Sequence, residues 1–188
     1  MVALAASAGG LDALTAVLSG LPADLAVPVL ALEHLLPDHR SVLPQILARR
    51  TRLEVKGAED GERLRPGFVY VAPPDAHTVV DSDGSLRLER SPPVRFVRPS
   101  VDLLFESLAR VFGAHALVVV LTGAGSDGAA GVRAVKDAGG TIIAQDEESS
   151  AHFGMPGAAI ATGAVDLILP LDNISAAIVG MVSVRGVA

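Results

Sequence analysis

Three side chains in this chain, Ser7, His34 and Asp127, are of the types that together carry out nucleophilic hydrolysis. A serine hydroxyl is a weak nucleophile unless a neutral imidazole accepts its proton, and the imidazole works best when a carboxylate fixes its tautomer. Ser7 stands between an apolar run and Gly9-Gly10, which favours an exposed hydroxyl beside backbone N–H groups that can bind an oxyanion. These residues suggest a serine hydrolase, although their order differs from the Ser, Asp, His order of α/β-hydrolases.

The segment G-A-G-S-D-G at residues 123–128 supports a different interpretation. It matches the dinucleotide-binding pattern G-x-G-x-x-G, and Asp146 follows near the usual distance of the acidic residue that binds a ribose. Two features weigh against this site. Asp127 would repel a pyrophosphate at the helix N-terminus, and the pattern normally lies in the first βα unit of a chain. Both interpretations stay open on the residues alone.

Ordinary structural roles are also available for the same residues. Ser7 can cap the first helix, His34 can be a hydrogen-bonded histidine at a strand end, and Asp127 can be a helix N-cap. His39 follows His34 in H-L-L-P-D-H, but Pro37 breaks the helix that would align two metal ligands, and no third ligand is apparent. We therefore predict neither a metal site nor a cofactor.

The composition excludes several classes of protein. The 188 residues include no cysteine, which removes disulfides, thiol nucleophiles and thiolate metal sites. With 15 basic against 21 acidic residues, one Tyr and no Trp, the chain lacks the basic, aromatic surface that nucleic acids require. It has no run of about 20 apolar residues, and its first residues do not resemble a signal peptide, so we expect neither a membrane span nor a secretory signal. The simplest expectation is a single-domain cytoplasmic protein that does not insert into membranes.

Short apolar runs alternate with amphipathic stretches, a pattern typical of repeated βα units. We predict an α/β fold: a doubly wound, mainly parallel sheet with helices on both faces. The predicted strands are Val2–Ala6, Val27–Leu32, Ala116–Leu121, Thr141–Ala144 and Val165–Leu169. The predicted helices are Leu11–Leu18, Val42–Arg50, Val101–Phe112 with Ser100 as its cap, Ala129–Ala138, Met155–Ala161 and Ser175–Val184.

The middle of the chain has a different pattern. Four short β-like pieces are separated by the turn signals Asp60-Gly61, Pro73-Pro74 and Asp83-Gly84. These pieces are Leu53–Ala58, Gly67–Ala72, His77–Asp81 and Leu86–Arg90. They predict an antiparallel β-hairpin at the edge of the sheet. Ligands of such sheets bind at the carboxyl ends of the strands, and Ser7, His34, the 123–128 loop and Asp146 each follow a predicted strand.

Ordered segments over residues 2–171 resemble the catalytic domain of the protein-glutamate methylesterases of chemotaxis, the CheB family. The strongest are L-T-G-A-G-S-D-G-A-A-G (121–131) and A-G-G-T-I-I-A-Q-D-E-E-S-S-A-H-F-G-M-P (138–156). The others are A-S-A-G-G-L-D-A-L (6–14), V-L-A-L-E-H-L (29–35), E-D-G-E-R-L-R-P-G-F-V-Y-V-A-P-P-D-A-H (59–77) and R-P-S-V-D-L-L-F-E-S-L-A (98–109). The full set leaves little room for the dinucleotide interpretation.

This resemblance implies a doubly wound fold with a hairpin and a defined reaction. Members of the family hydrolyse methyl esters on glutamate side chains of chemoreceptor cytoplasmic helices, releasing methanol, and some also deamidate receptor glutamine. The family's nucleophile, base and orienting carboxylate correspond to Ser7, His34 and Asp127. We expect backbone amides near Ala8 and Ala124 to bind the oxyanion, and Met155 to lie beside the substrate.

Several positions depart from the family pattern. Ala5 and Ala124 replace a usual glycine and a usual methionine, and Glu33 stands where glutamine commonly precedes the histidine. Members usually carry an N-terminal receiver domain, whereas residues 1–188 are predicted to form one catalytic domain without a receiver. Such a chain is either an excised domain or a standalone homologue. The substitutions leave one alternative open, a catalytically weak descendant that binds a partner through the same groove.

Overall fold

The central strands of this protein are parallel and buried on both faces. The computed structural model describes residues 1–34 and 41–185. The strands are β1 (Val2–Ala6), β2 (Val29–Glu33), β3 (Glu54–Gly57), β4 (Phe68–Val71), β5 (His77–Val80), β6 (Leu86–Glu89), β7 (Leu117–Val120), β8 (Thr141–Gln145) and β9 (Leu167–Leu169). The helices are α1 (Gly10–Ser19), α2 (Leu43–Ala48), α3 (Val101–Phe112), α4 (Ala129–Asp137), α5 (Gly154–Ile160) and α6 (Leu171–Arg185).

Seven strands form one sheet in the order β3-β4-β2-β1-β7-β8-β9, and every neighbouring pair is parallel. The side chains of β1 alternate between the two faces, as the strand period of two requires. Ala3 and Ala5 pack in the core shared with α3, α4 and α5. Val2, Leu4 and Ala6 pack in the core shared with α1, α2 and α6. The predicted doubly wound sheet with helices on both faces is confirmed.

The hairpin is also confirmed, but it is smaller than the pattern of four short pieces suggests. Among the strands of residues 1–34 and 41–185, only β5 and β6 pair antiparallel. They form a separate two-stranded sheet next to α3, where Val80 N donates to Ser107 Oγ at 3.0 Å. The β3 and β4 strands instead extend the parallel sheet. The Asp60-Gly61 turn does not close a β3–β4 hairpin, because Gly61 N donates to Leu86 O and Asp60 Oδ1 accepts from Leu88 N.

The structure bears on two further expectations. Within residues 1–34 and 41–185, no helix is long and apolar enough to cross a membrane. In the same residues, no group of three or more His, Asp or Glu side chains could hold a metal ion. His39, the second histidine of H-L-L-P-D-H, lies outside the described residues.

Candidate active site

The predicted nucleophile and base follow adjacent strands at the carboxyl edge of the sheet. Ala6 at the end of β1 pairs with Glu33 at the end of β2, so Ser7 and His34 leave the sheet side by side. His34 N donates to Ala6 O at 3.1 Å and Ser7 N donates to Thr122 O at 3.0 Å. The chain crosses from β1 to β2 on one side, and β7 lies on the other side of β1. Ligand crevices form where the strand order reverses in this way.

His34 and Asp127 are in direct contact. The His34 Nε2 atom lies 2.9 Å from Asp127 Oδ2, and the two side chains are only 12% and 5% exposed. When Nε2–H of a neutral imidazole donates to a carboxylate, the other ring nitrogen, Nδ1, is left as a proton acceptor. This pair therefore supplies a base whose tautomer is fixed by the buried carboxylate.

Ser7 lies next to this pair without a hydrogen bond to it. Among residues 1–34 and 41–184, no side chain makes a hydrogen bond to the Ser7 hydroxyl, and the His34 ring is hydrogen-bonded to Asp127. Hydrogen bonds between a nucleophile and its base are often long in the free enzyme and tighten when substrate binds. The structure thus brings His34 to Asp127 and places Ser7 at the neighbouring strand end.

The Asp127 carboxylate is held by a set of donors that the sequence does not reveal. Oδ1 accepts from Ser100 Oγ and from the N–H groups of Asp102 and Gly128, and Oδ2 also accepts from Val101 N at 2.6 Å. Burial works to raise the pKa of Asp127, but hydrogen bonds from His34 and from backbone N–H groups outweigh burial and lower it. The carboxylate is therefore ionised at neutral pH and can stabilise an imidazolium.

A fully buried histidine, His77, fixes one of the donors to Asp127. Ser100 N donates to His77 Nδ1 at 3.0 Å, and His77 Nε2 donates to Pro92 O at 3.2 Å. His77 thereby fixes Ser100, which both caps α3 and donates to Asp127. Sequence reasoning finds no partner for His77, because its contact with Ser100 depends on the path of the chain between them.

The start of α4 is where a dinucleotide pyrophosphate would have to bind. Asp102, which lies in the first turn of α3, accepts from Ala130 N at 3.0 Å and Gly131 N at 2.9 Å. Burial, together with the Asp127 charge, raises the pKa of Asp102 despite these hydrogen bonds. Asp146 accepts from Ser149 N and Oγ, closing its own turn. The helix N–H groups are thus already taken by a carboxylate, which argues against the dinucleotide interpretation.

Gly123 allows the loop after β7 to pass close to Ser7. A Cβ at Gly123 would lie 2.9 Å from Ser7 Cβ and still closer to Met155 Sδ. Met155 is only 1% exposed and packs beneath the loop, and its N–H donates to Gly123 O at 2.8 Å. Thr122 Oγ1 adds a link to the Ser7 loop, because it lies 3.0 Å from Ala8 O. Thr122 could have been identified from its position between a buried strand and the glycine loop.

Two backbone N–H groups beside Ser7 are not used within the described part of the chain. No hydrogen bond between described residues is donated by the N–H of Ala8 or of Ala124. Ala8 follows Ser7 directly, and Ala124 belongs to the loop that Gly123 brings against Ser7. Free N–H groups from two loops on either side of a nucleophile are the usual components of an oxyanion hole.

Glu33 turns inward next to His34. The residue is 8% exposed, and its carboxylate lies over Gly10 at the start of α1, where a Cβ at Gly10 would come within 2.7 Å of Glu33 Oε1. Burial raises the pKa of Glu33 to about 7, although a hydrogen bond from the Leu11 backbone and the nearby His34 work to lower it. An acid that titrates near neutral pH thus lies directly beside the predicted base.

Comparisons with known proteins agree on one family. The family model described as CheB methylesterase matches residues 2–178. A protein-glutamate methylesterase/protein-glutamine glutaminase from Anaeromyxobacter dehalogenans is 47% identical over 178 residues, covering 95% of this chain and 52% of the relative. The corresponding protein from Geobacillus kaustophilus is 45% identical over 186 residues, covering 97% and 53%.

A solved structure gives the same result for the fold. The crystal structure of the Thermotoga maritima CheB methylesterase catalytic domain superimposes with a TM-score of 0.93 at 36% sequence identity. The match covers 96% of this chain and 97% of that domain. The chain spans about half the length of the curated relatives it matches.

Proposed function

Because this chain belongs to the CheB methylesterase family, we propose that it hydrolyses methyl esters on glutamate side chains of chemoreceptor cytoplasmic helices. The observation that carries the proposal is the 2.9 Å contact between His34 Nε2 and Asp127 Oδ2, with Ser7 at the neighbouring strand end. This arrangement supplies a nucleophile, a base and a buried orienting carboxylate, which are the groups that an acyl-enzyme mechanism requires.

In the acylation step, Ser7 Oγ attacks the ester carbonyl carbon while His34 Nδ1 accepts the hydroxyl proton. Asp127 stabilises the imidazolium that forms. The N–H groups of Ala8 and Ala124 donate to the tetrahedral oxyanion, an interaction that strengthens as negative charge develops on that oxygen. His34 then returns the proton to the leaving oxygen, so that methanol departs and the glutamyl group remains bound to Ser7.

Deacylation repeats these steps with water as the nucleophile. His34 accepts a proton from water as the water oxygen attacks the acyl carbon, and the proton then passes to Ser7 Oγ as the glutamate carboxyl group is released. The same acyl-enzyme can form from a glutamine side chain with loss of ammonia. We therefore also propose receptor glutamine deamidation, consistent with the names of the relatives.

The proposal extends to the domain and its location. Residues 1–188 are proposed to act as one catalytic domain, supported by the single seven-stranded sheet on which the helices of both faces pack. A substrate on chemoreceptor cytoplasmic helices requires the enzyme to work in the cytoplasm. No nucleic acid or cofactor takes part in the proposed steps.

The decisive experiment measures methanol release from a methylated cytoplasmic fragment of a chemoreceptor. We expect Ser7→Ala to lower the rate by about a thousandfold or more, because no other group can form the acyl-enzyme. Ser19→Ala is the matched control, since Ser19 is exposed at the end of α1 and donates only to Ala16 O. Wild-type rates of methanol release in Ser7→Ala protein would refute the proposal, as would a wild-type chain that binds the fragment without hydrolysing it.

A further inference from the structure

A tight turn at residues 94–97 has an unusual backbone for its sequence. Val94 and Val97 exchange two hydrogen bonds, Val94 N to Val97 O at 3.1 Å and Val97 N to Val94 O at 3.0 Å. The two central residues, Arg95 and Phe96, have φ angles of 48° and 70°. Two-residue turns with positive φ at both centres strongly favour Asn and Gly, because other side chains are crowded in this conformation. An Arg-Phe pair here is therefore unfavourable for folding.

Burial of Phe96 does not offset this unfavourable backbone conformation. The residue is 101% exposed, the highest value among the exposed large hydrophobic residues of the described chain. Its ring therefore buries none of its apolar surface in the protein. Aromatic side chains are enriched among the residues that anchor protein interfaces.

The turn is attached to the loop that carries the predicted catalytic carboxylate. Arg95 Nη1 lies 3.5 Å from Ser126 Oγ, and Ser126 precedes Asp127. Arg95 Nε also lies 3.6 Å from Asp102 Oδ2, and Asp102 N donates to Asp127 Oδ1 at 3.1 Å. These contacts of Arg95 place the 94–97 turn beside the loop that carries Asp127. A polypeptide that delivers a side chain to Ser7 crosses this same edge of the sheet.

We propose that the 94–97 turn is a docking element for the polypeptide substrate, with Phe96 as its anchor. Phe96 packs against an apolar side chain on the same face of the substrate helix as the esterified glutamate, and Arg95 holds the turn in place. This inference rests on the proposed methylesterase function and adds a residue that selects a protein substrate over a small ester. The occupant is the substrate helix and not a second copy of this chain.

The experiment compares two substrates in the Phe96→Gly and Phe96→Asn variants. For the methylated receptor fragment we expect kcat/KM to fall about tenfold, chiefly through a higher KM. For 4-nitrophenyl acetate, which is too small to reach the turn, we expect wild-type rates. The melting temperature should equal or exceed that of the wild type, because glycine and asparagine adopt the φ of 70° more readily than phenylalanine. If Phe96 had a merely structural role, both substitutions would lower the melting temperature.

Val184→Ala is the matched control for loss of an exposed apolar side chain. Val184 is 77% exposed near the end of α6. This end of α6 is remote from Ser7, because its residues Met181 and Val182 line a cavity with Met1 at the opposite edge of the sheet. We expect this variant to treat both substrates as the wild type does. Binding is measured separately by fluorescence anisotropy of the labelled fragment, with Ser7→Ala protein compared with the Ser7→Ala/Phe96→Gly double variant.

The outcomes separate the two proposals. If wild-type protein hydrolyses the receptor fragment and Phe96→Gly does so with the same kcat/KM, the docking inference fails and the proposed function stands. An equal loss on both substrates, or a wild-type dimer that Phe96→Gly converts to monomer, also overturns the docking inference. If wild-type protein releases no methanol from the fragment, the proposed function fails and the docking inference fails with it.

Discussion

At Asp127, one carboxylate combines a contact with the proposed base, His34, with several structural contacts. It accepts from the His34 ring, from the Ser100 hydroxyl and from the backbone N–H groups of Val101, Asp102 and Gly128. These backbone donors come from the starts of two different helices, α3 and α4. The carboxylate that contacts His34 therefore also links the starts of these two helices.

Asp127→Asn should accordingly impair both catalysis and stability. We expect methanol release to fall about 10³–10⁴-fold, because an amide favours the wrong imidazole tautomer. We expect the free energy of unfolding at pH 7 to fall by about 1–3 kcal/mol, because the amide nitrogen cannot accept the N–H groups that a carboxylate oxygen accepts. Methanol assays and urea unfolding measure the two effects, with the exposed first-turn acid Asp12→Asn as control.

The stability loss should also depend on pH in a defined direction. The pKa of Asp127 is lowered in the folded state, so its ionised form stabilises the protein above the unfolded pKa of about 4. That contribution disappears as pH falls through the folded pKa. The stability difference between the wild type and Asp127→Asn should therefore shrink below about pH 4. A difference that stayed constant from pH 7 into that range would contradict the role given to the charge.

Glu33 should show the opposite pH dependence. Its pKa is raised to about 7, so the folded state binds a proton more tightly than the unfolded state, and stability falls as pH rises from the unfolded pKa through the folded one. Glu33→Gln keeps an acceptor for the Leu11 backbone and removes the buried charge. At pH 8 we expect the variant to be more stable than the wild type, with about 2–4 °C added to the melting temperature for each kcal/mol of unfolding free energy gained. At pH 4 we expect little difference between the two proteins.

Thermal unfolding followed by circular dichroism at the two pH values measures this effect. Glu148→Gln in the exposed loop after β8 is the control, since its carboxylate is not buried. A Glu33→Gln variant that was less stable than the wild type at pH 8 would show that the ionised carboxylate stabilises the start of α1.

These residues also mark the limit of what the sequence predicts. The positions of Ser7, His34 and Asp127 at the carboxyl edge of the sheet are predictable, because each comes after an apolar run that forms a buried strand. The contact between His77 and Ser100 is not, because the residues are remote along the chain and meet only through the path taken by residues 91–99. Residue types indicate the chemistry, whereas the supporting contacts depend on loop paths that no local pattern encodes.

At the scale of elements, predictability follows burial. The strands at the centre of the sheet are predicted within about two residues, because strands buried on both faces read as continuous apolar runs. The β3 and β4 strands are located correctly. A short strand-like run followed by a turn signal, however, does not show whether the strand pairs with a parallel or an antiparallel neighbour. The partner is decided by the Asp60-Gly61 turn, which bonds to β6 instead of folding β3 back.

The close packing of the loop after β7 predicts a sharp effect of Gly123→Ala. The added Cβ would collide with Ser7 Cβ and Met155 Sδ, so Ser7 and Met155 must shift from their present positions. We expect kcat for methanol release to fall at least about tenfold, because displacement of a nucleophile by a fraction of an ångström removes its alignment. Adding Met155→Ala should restore part of the activity by giving the loop room.

Gly180→Ala is the matched control, because a Cβ at Gly180 in α6 meets no atom within 4 Å and alanine favours the helix. It should leave the rate unchanged and raise stability slightly. Wild-type kcat in Gly123→Ala protein would show that the loop has free space in solution and would remove Gly123 from the positioning of Ser7.

At the scale of the whole molecule, alternation of apolar and amphipathic segments is enough to predict a doubly wound sheet. The same alternation does not predict the order of the strands in the sheet. In the structure, β1 lies in the middle and is flanked by β2 and β7. That order brings together side chains that are 93 residues apart, His34 and Asp127. A rule for ligand position in open sheets predicts the edge on which they meet, and the structure supplies the pairing.

The same strand order divides the molecule into two contiguous blocks. Strands β1 to β4 with α1 and α2 form one block, and β7 to β9 with α3 to α6 form the other; within the sheet they are joined only where β1 pairs with β7. Ser7 and His34 belong to the first block and Asp127 belongs to the second. Neither block contains all three of the proposed catalytic groups, so the proposed esterase activity would be a direct readout of whether the two halves of the chain are assembled.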